Sequence, residues 1–391
     1  MTDNQRNSSA SRPEHCTITR RSFVGESVAL AGGLCAVAST AAVRTETPRG
    51  KILNHNSQME YRRLGKTGLM VSAVCLGGHW KRVAVALNRP FTGSGASKED
   101  FDNIKASDFL KNRHDVISRC IDAGINYVDA CSPMEILAYA KVLKGRRDKF
   151  YFGYSWHLRE PRFLEWRTSK KLIEGLDAGL KEAGLEYVDV WRISLPQERV
   201  ADLGELLRVE EATVEGLEKA KQQGKARFTG VSTHNRVWLK SVIEEYPKQM
   251  EVVLFPYTAD SKQLPDDSVF EAIQQHDVGV FGIKPFADNA LFRGDGSPNS
   301  PHAEEDSRRA RLALRYILSN PAITAPIPGL VTLAQVDNVV KAIAERRAHD
   351  LSAPAKDTRR ISESIERQAA AQEMWANLSP DHRWLKNWEY V

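Results

Sequence analysis

Short apolar runs alternate eight times with stretches that have helical spacing along this chain of 391 residues. The apolar runs are continuous in Val, Ile, Leu and Phe, which is typical of parallel strands buried on both faces. They cover residues 71–77, 126–130, 150–154, 188–193, 227–232, 252–257, 278–283 and 323–327. The helical stretches, identified by their apolar periodicity, cover residues 115–124, 135–143, 169–184, 209–224, 237–246, 269–276, 308–320 and 333–346. Eight strand–helix units in sequence predict an α/β fold, a (β/α)8 TIM barrel.

An open, doubly wound sheet is the competing architecture. It is disfavoured because no Gly-x-Gly-x-x-Gly motif follows the first apolar run. With 42% hydrophobic and 27% charged residues, the chain has enough apolar material for a large core. The net charge of +5 is mild and no basic stripe alternates with aromatic residues, so we expect no nucleic-acid partner.

Residues 1–45 have the pattern of a targeting segment and linker. Arg20 and Arg21 are followed by Ser22-Phe23-Val24 and by a weakly apolar stretch, 24–43, rich in Ala and Gly. This pattern resembles a twin-arginine export signal, which implies the twin-arginine machinery as a partner and the periplasm or cell envelope as the location. A single membrane anchor is the alternative. Glu26 and the glycines argue against it, and whether the signal is cleaved stays open.

The predicted barrel, with an N-terminal hairpin at its start, is placed at residues 58–350. Apolar patterns at 59–64 and 69–76 surround a glycine-bounded turn and predict an N-terminal hairpin. Residues 351–391 form a C-terminal extension, predicted to pack on the barrel. Its aromatic residues are either anchors to the core or ligand-stacking groups; they are Trp375, Trp384, Trp388 and Tyr390.

The polar stretch 81–111 follows the first predicted strand. Loops at that position of a barrel emerge on the catalytic face, so the segment is either a lid or a surface insertion. Removing the signal would leave Cys75, Cys120 and Cys131, with no CxxC pair. That spacing predicts neither a disulfide framework nor a metal site. Cys131 follows Asp129 by two residues and is a candidate for exposure in a pocket.

Several segments, in order along the chain, resemble the motifs of aldo-keto reductases. They are Tyr61-Arg62-Arg63-Leu64-Gly65-Lys66-Thr67-Gly68, Ala123-Gly124-Ile125-Asn126-Tyr127-Val128-Asp129, Glu186-Tyr187-Val188-Asp189, Gly230-Val231-Ser232 and Ile327-Pro328-Gly329. The resemblance spans roughly residues 59–346 and implies the same barrel. It also implies NADP or NAD as cofactor and a small-molecule carbonyl or alcohol substrate, although a fold alone does not fix the chemistry.

The catalytic group of that family is incomplete in this sequence. The family uses an aspartate, a tyrosine, a lysine and a histidine, in which the lysine lowers the pKa of the tyrosine that donates a proton. Asp129 matches the aspartate, but Cys131-Ser132-Pro133-Met134 leaves no loop for the tyrosine. The lysine position falls on Ser155 and the histidine position on Ser194. Asp129 is then left to pair with Arg192 or Lys284, to act as an acid/base, or to cap the next helix.

On the cofactor side the resemblance is mixed. Gly230 and Ser232 match a motif that holds the nicotinamide carboxamide, but Thr233 replaces its asparagine. Lys284 follows the seventh predicted strand, and Gly329 with Gln335 matches the phosphate and adenine end. Three family side chains are replaced: the glutamine expected at Leu254, the stacking aromatic near Lys284 and the arginine expected at Val331.

Tyr154 and His157 flank the vacated lysine position and are candidates to restore a donor and a polarising group. The structural alternatives are packing of Tyr154 between barrel and helices and a surface position for His157. With Asp129, they form the predicted catalytic set of an exported, NAD(P)-linked oxidoreductase with a non-standard site. The alternatives are a pseudoenzyme or cofactor-free ligand-binding barrel, and a structural subunit of an envelope complex.

Overall fold

Seven parallel strands form one curled sheet in which every strand pairs with its neighbours in sequence order. The computed structural model describes residues 51–80, 83–88, 105–195, 200, 202–261, 268–351 and 356–386. The strands of the sheet are β3 (Tyr127–Ala130), β4 (Tyr151–Tyr154), β5 (Val188–Ser194), β6 (Ala226–Ser232), β7 (Val252–Pro256), β8 (Gly279–Ile283) and β9 (Ala325–Pro326). Consecutive parallel pairing is the arrangement that the alternating sequence predicts.

Helices connect the strands. They are α1 (Val83–Leu87), α2 (Ser107–Asp122), α3 (Pro133–Val142), α4 (Ser169–Ala183), α5 (Leu203–Gln222), α6 (Arg236–Glu245), α7 (Val269–Gln275), α8 (Ala303–Ser319), α9 (Leu333–Leu351) and α10 (Lys356–Ala376). Seven of the eight predicted helices match α3 to α9 within a few residues, except that α5 and α8 begin about one turn or more earlier. The first, predicted at 115–124, begins at Ser107 instead. The predicted polar insertion 81–111 therefore ends within α2.

The two edges of the sheet both pair with the segment at residues 75–77. Cys75 N–H donates to Pro326 O at 3.0 Å and Leu76 N–H donates to Tyr127 O at 3.0 Å. Two isolated parallel bridges, Leu76 with Val128 and Gly77 with Gly329, continue the same pattern. The segment thus takes the place of the eighth strand, which is consistent with the predicted barrel.

The predicted N-terminal hairpin is present. Strands β1 (Tyr61–Arg63) and β2 (Met70–Ser72) are antiparallel. The turn needs glycine, because Gly65 has φ +47° and an added Cβ would lie 2.2 Å from the Gly279 backbone nitrogen. The first strand, predicted as one run over 71–77, is divided. Its start belongs to the hairpin, and only its end joins the barrel.

Two apolar layers hold the architecture together. The barrel interior is filled by a cluster that includes Val71, Tyr127, Val190 and Phe281, and Leu64 from the hairpin joins it. A larger cluster lies between the strands and the surrounding helices. Burial on both sides explains why the strands are continuously apolar rather than alternating.

The C-terminal extension packs against α8. Glu373 of α10 forms ion pairs with Arg293 and Arg309, and Met374 is fully buried in a cluster with Leu291. Trp375 donates its indole N–H to Asp260 at 2.8 Å, so this aromatic residue is an anchor, as one of the two alternatives predicted. In the described part of the chain, no helix is long and apolar enough to cross a membrane. The predicted signal, Trp388 and Tyr390 lie outside the described residues.

Candidate functional site

A polar cavity of about 440 Å³ opens at the carboxyl ends of the strands, the end at which barrel enzymes carry their active sites. Its wall combines acidic groups, cations and four histidines. Those side chains belong to Asp129, Glu135, Asp288, Arg162, Arg192, Lys284, His79, His157, His234 and His382. Such a density of ionisable groups around one concave space is typical of a binding or catalytic site.

Asp129 pairs with Arg192 at the base of this cavity. The Arg192 Nη2 donates to Asp129 Oδ2 at 2.5 Å, Nε lies 3.2 Å from Oδ1, and both side chains are at most 7% exposed. Burial opposes the charge of Arg192, but the neighbouring carboxylate raises its pKa. Pairing with Arg192 was one of the predicted alternatives. The helix-cap alternative is wrong, because Ser132 and Glu135 cap α3 with a reciprocal capping box.

Ser155 and Ser194, on which the resemblance places the family's lysine and histidine positions, both donate hydrogen bonds to one buried carboxyl group. Glu160 Oε2 accepts hydrogen bonds from Ser155 Oγ at 2.9 Å and from Ser194 N–H at 2.8 Å. Its Oε1 is buried and has no hydrogen-bond partner among the described residues. Burial raises the pKa of Glu160 to about 7, although these hydrogen bonds and the charge of Arg192 oppose the rise. Glu160 therefore exchanges a proton near neutral pH, next to Ser155 and Ser194. No sequence signal marked Glu160.

The placement of Tyr154 contradicts its predicted role as proton donor. Its side chain points away from the cavity towards α4, where a Cβ on Gly179 would lie 1.9 Å from the hydroxyl oxygen. The hydroxyl is buried, with no hydrogen-bond partner in the part of the chain that the structure describes. Burial, reinforced by the charge of Glu160, raises its pKa well above the usual value. Packing between barrel and helices, the structural alternative, is what the structure shows.

His157 lines the cavity, where the predicted site placed it. Its Nδ1 lies 2.6 Å from the backbone oxygen of Cys131, which fixes the orientation of the ring. Burial lowers its pKa, and the hydrogen bond to Cys131 opposes that shift. His157 therefore contributes mainly a neutral imidazole to the cavity wall near pH 7.

Next to His157, three side chains meet at the ends of the first two barrel strands. His79 Nδ1 lies 2.9 Å from Glu135 Oε1 and 3.4 Å from Cys131 Sγ. Glu135 also accepts a hydrogen bond from Cys131 N–H at 2.7 Å and a short one from His79 N–H. Burial would raise the pKa of Glu135, but the charge and hydrogen bonds of His79 lower it. The spacing of the cysteines gave no indication of this cluster.

The predicted cofactor residues divide between two cavities. Ser232 and Lys284 line the polar cavity, whereas Gln335 lines a second cavity of about 410 Å³. Gly329 lines both. In contrast, Gly230 packs against β7, where an added Cβ would lie 1.6 Å from Val252 O, so the close approach of the two strands, rather than the cavity, requires a residue without a side chain here.

Gln335 has a structural partner already. Its Oε1 accepts hydrogen bonds from Val331 N–H at 2.7 Å and Thr332 N–H at 3.2 Å, at the start of α9. These amides are the donors that a phosphate would use at a helix N-terminus. A phosphate that binds them must displace the Gln335 carboxamide.

The C-terminal extension completes the outer rim of the polar cavity. Trp384 stacks on His234 with ring centroids 4.0 Å apart, and Lys284 Nζ lies 5.7 Å from the Trp384 ring centroid. His382, which lines the cavity, lies 3.1 Å from Asp288. Burial and the charge of Lys284 lower the pKa of His234 to about 3, so this ring is neutral at neutral pH.

Unusual backbone conformations cluster around the same cavity. His79, Lys284, Asp288 and Asn289 all have positive φ, between +50° and +69°, and all line the cavity. Non-glycine residues avoid this region, and such strain concentrates at functional sites. The strain therefore marks this cavity independently of its charges.

Comparison with known proteins identifies the family. The sequence model of the aldo/keto reductase family matches residues 107–352. L-galactose dehydrogenase of Arabidopsis thaliana is 25% identical over 316 residues, covering 74% of this chain and 89% of that protein. L-glyceraldehyde 3-phosphate reductase of Escherichia coli K12 is 22% identical over 271 residues, covering 65% and 70%. The chain therefore belongs to the aldo/keto reductase family of oxidoreductases.

A solved structure supports the fold independently. The holo form of aldo-keto reductase AKR11C1 from Bacillus halodurans superposes with a TM-score of 0.51 at 21% identity. The match covers 83% of this chain and 99% of that one. At this identity the likeness extends to the fold alone.

Proposed function

We propose that this protein is an exported, NAD(P)-linked oxidoreductase that acts on a carbonyl or alcohol group of a small, sugar-like compound. The observation that carries the proposal is the polar cavity at the carboxyl ends of the strands, joined to a second cavity through shared walls. Membership of the aldo/keto reductase family, whose enzymes typically use NADP(H), supports the nucleotide. In this proposal the active site departs from the family, because the loop of the tyrosine is missing and serines stand at the lysine and histidine positions.

The two cavities share part of their walls, which supports a ligand that extends from one into the other. They share Phe286, Asn289 and Gly329. We place the nicotinamide in the polar cavity near Ser232 and the adenosine in the second cavity, towards Gln335. The absence of an arginine at Val331 leaves NADP and NAD as alternatives.

The substrate class follows from the charges of the wall. Arg162 and Lys284 line the cavity, and the Nε of Arg162 is buried with no hydrogen-bond partner among the residues described. Such groups favour a ligand rich in hydroxyl or anionic oxygen atoms. The two curated relatives carry the names of sugars, galactose and glyceraldehyde 3-phosphate, which agrees with this class.

In place of the tyrosine, we assign Arg192 an electrostatic role. Its guanidinium is held by Asp129 and lines the cavity. A fixed cation in a partly buried site stabilises the negative charge that develops on a carbonyl oxygen during hydride transfer. Turnover of common aldehydes should nevertheless be slower than about 1 s⁻¹, because the phenol donor and its tuning cation are missing.

Nucleotide binding tests the proposal directly. Titration of the full chain with NADPH and with NADH, followed by nicotinamide fluorescence, should show saturable binding of at least one of them. The Lys284→Met variant should weaken that binding at least tenfold. Lys181→Met, which changes an exposed lysine on α4, is the matched control and should bind as the wild type does. Lack of binding of either nucleotide at millimolar concentration would overturn the proposal.

A ligand-binding barrel without hydride transfer is the second candidate. It is favoured by one observation, the neutralisation of Asp129 by Arg192 where the family uses a lysine. Binding of a sugar-like ligand by a protein that binds no nucleotide would select this candidate.

Export is part of the proposal and has its own test. The arginine pair Arg20-Arg21 precedes Ser22-Phe23 as in twin-arginine signals. Replacement of both arginines by lysine should retain the protein in the cytoplasm, measured by fractionation. Unchanged export of the double variant would contradict this part alone.

A further inference from the structure

The cluster at the ends of the first two barrel strands has the composition of a metal site. His79, Cys131 and Glu135 each offer one donor atom, and these atoms lie within 4.8 Å of one another. Imidazole nitrogen, thiolate sulfur and carboxylate oxygen are the ligands that zinc uses in proteins. Three protein ligands with a fourth position left open is the arrangement of catalytic rather than structural zinc sites.

Two of the donor–donor separations can be compared with those around a tetrahedral ion. Zinc bond lengths place neighbouring donor atoms about 3.3–3.6 Å apart. Here His79 Nδ1 lies 3.4 Å from Cys131 Sγ and 2.9 Å from Glu135 Oε1. The second separation must widen by a few tenths of an ångström. The His79 side chain is 46% exposed and has room to move, whereas Glu135 is 1% exposed and stays fixed.

The surrounding backbone orients the carboxylate. Glu135 accepts hydrogen bonds from the N–H groups of His79 and Cys131, and one from Ser132 N–H at 3.3 Å. Gly78 leaves the space for this carboxylate, because an added Cβ would lie 2.1 Å from its carbon atom. Partners that orient a ligand in this way are a general feature of metal sites.

His79 provides an independent observation. It has φ +50°, a conformation that a non-glycine residue rarely adopts. This conformation directs its ring towards Cys131 and Glu135 at the cavity wall. The cluster therefore combines a strained backbone, a buried oriented carboxylate and a half-buried thiol, which an exposed ion pair alone would not require.

We propose that His79, Cys131 and Glu135 bind a divalent zinc-type cation whose fourth coordination position opens into the polar cavity. This role rests on the proposed function. With a nucleotide bound, the cation held by these three residues would polarise the substrate carbonyl, the dihydronicotinamide would supply the hydride that reduces the carbonyl and would itself be oxidised, and water would supply the proton. The cation would thus supply the polarisation that the missing tyrosine provides in the family.

Cobalt substitution tests the site without reference to activity. The full chain, carrying no histidine tag, is titrated with Co²⁺ and with Zn²⁺, and bound metal is measured by mass spectrometry after gel filtration. One equivalent should bind at micromolar concentration, with a thiolate-to-cobalt charge-transfer band in the near ultraviolet. Cys131→Ser should abolish the band, and Glu135→Gln should weaken binding at least tenfold.

Two controls keep the result interpretable. His382→Gln changes another histidine of the same cavity and should leave stoichiometry and band unchanged. Far-ultraviolet circular dichroism reports whether each variant folds. If Glu135→Gln fails to fold, Cys131→Ser still decides, because its thiol is only half-buried. Retention of the metal by Cys131→Ser, a spectrum without the thiolate band, or no bound equivalent would each overturn the proposal.

The outcomes also separate this inference from the proposed function. Nucleotide binding by a protein that binds no cobalt would leave the oxidoreductase proposal standing and remove the metal site. Cobalt binding by a protein that binds neither nucleotide would support the metal site and remove the oxidoreductase proposal.

Discussion

Replacement of Glu160 by glutamine should change how the stability of the protein depends on pH. Glu160 is 1% exposed, and two hydrogen bonds to one oxygen do not compensate fully for burial of its charge. Its pKa in the folded protein is about 7, against 4.5 for an ordinary glutamate. At roughly 1.4 kcal/mol per pKa unit, this difference corresponds to about 3 kcal/mol.

The sign follows from proton linkage. The folded protein binds this proton more tightly than the unfolded chain does. The contribution of Glu160 to stability is therefore fully present below pH 4.5, is lost as the pH rises from 4.5 to 7, and is constant above 7. Glutamine is neutral throughout. The unfolding free energy of Glu160→Gln minus that of the wild type should consequently rise by about 3 kcal/mol between pH 4 and pH 8.

Urea unfolding followed by circular dichroism, at constant ionic strength across this pH range, measures the difference. Taking variant minus wild type cancels the titration of all other groups. Glu165→Gln, at an exposed glutamate in the same segment, is the matched control, and its difference should vary little with pH. A constant difference for Glu160→Gln would show that Arg192 and the two hydrogen bonds compensate for burial, and would refute the reasoning.

Three further experiments test buried contacts of the barrel, each by urea unfolding of the variants. Asp129→Leu should lower the unfolding free energy by about 3 kcal/mol, because it leaves Arg192 buried without its carboxylate. Adding Arg192→Met should recover much of this loss, and a larger loss in the double variant would contradict the reasoning. Tyr154→Phe removes a buried hydroxyl that has no hydrogen-bond partner among the described residues. The unfolding free energy should therefore stay within about 1 kcal/mol of the wild-type value and ligand binding should be unaffected, whereas loss of binding would indicate a role for the phenol. Gly78→Ala should lower the unfolding free energy by about 2 kcal/mol, because the added Cβ would clash with Glu135. Gly216→Ala in α5, whose Cβ would make only ordinary van der Waals contacts, should be neutral or stabilising. Equal effects of the two substitutions would contradict the close approach at Gly78.

Much of the fold was predictable because its signal is local. Continuous apolar runs became strands wherever both faces are buried, and glycines at the hairpin marked a turn that only they can adopt. The prediction of one continuous first strand over residues 71–77 was wrong, because contacts outside the local pattern divide it. Ser72 exchanges buried hydrogen bonds with Asn126 and donates to Val74 O, which divides the run into a hairpin strand and a barrel segment. The apolar periodicity of the sequence does not predict such hydrogen bonds.

The start of α2 was missed for a related reason. Its first two turns are mostly polar, and the buried face there is made by Phe109 and Arg113. Arg113 is buried because its guanidinium donates to Leu330 O and Val331 O in a distant loop. Because a charged residue occupies the buried face, the apolar periodicity that would have predicted this part of the helix is interrupted.

Residues of the site were predictable from the sequence mainly where they belong to a recognisable motif or follow a predicted strand. Asp129 was found from the motif, and Arg192 was one of two partners predicted for it, with Lys284 as the other. Glu160 was not found, since its partners Ser155 and Ser194 come from two separate strands and the serines alone do not indicate what fills the space. The cluster of His79, Cys131 and Glu135 depends in the same way on contacts between strand ends.

The pairing of Gly77 with Gly329 has a consequence for how the protein folds and holds a ligand. This pairing joins segments from opposite ends of the barrel sequence, and pairings between residues so far apart in sequence form slowly. The polar cavity lies at this pairing, with Gly77 and Gly329 in its wall. A chain that has not closed therefore has no complete cavity. A ligand that fills the cavity should bind the closed protein alone, and should slow its unfolding as well as stabilise it.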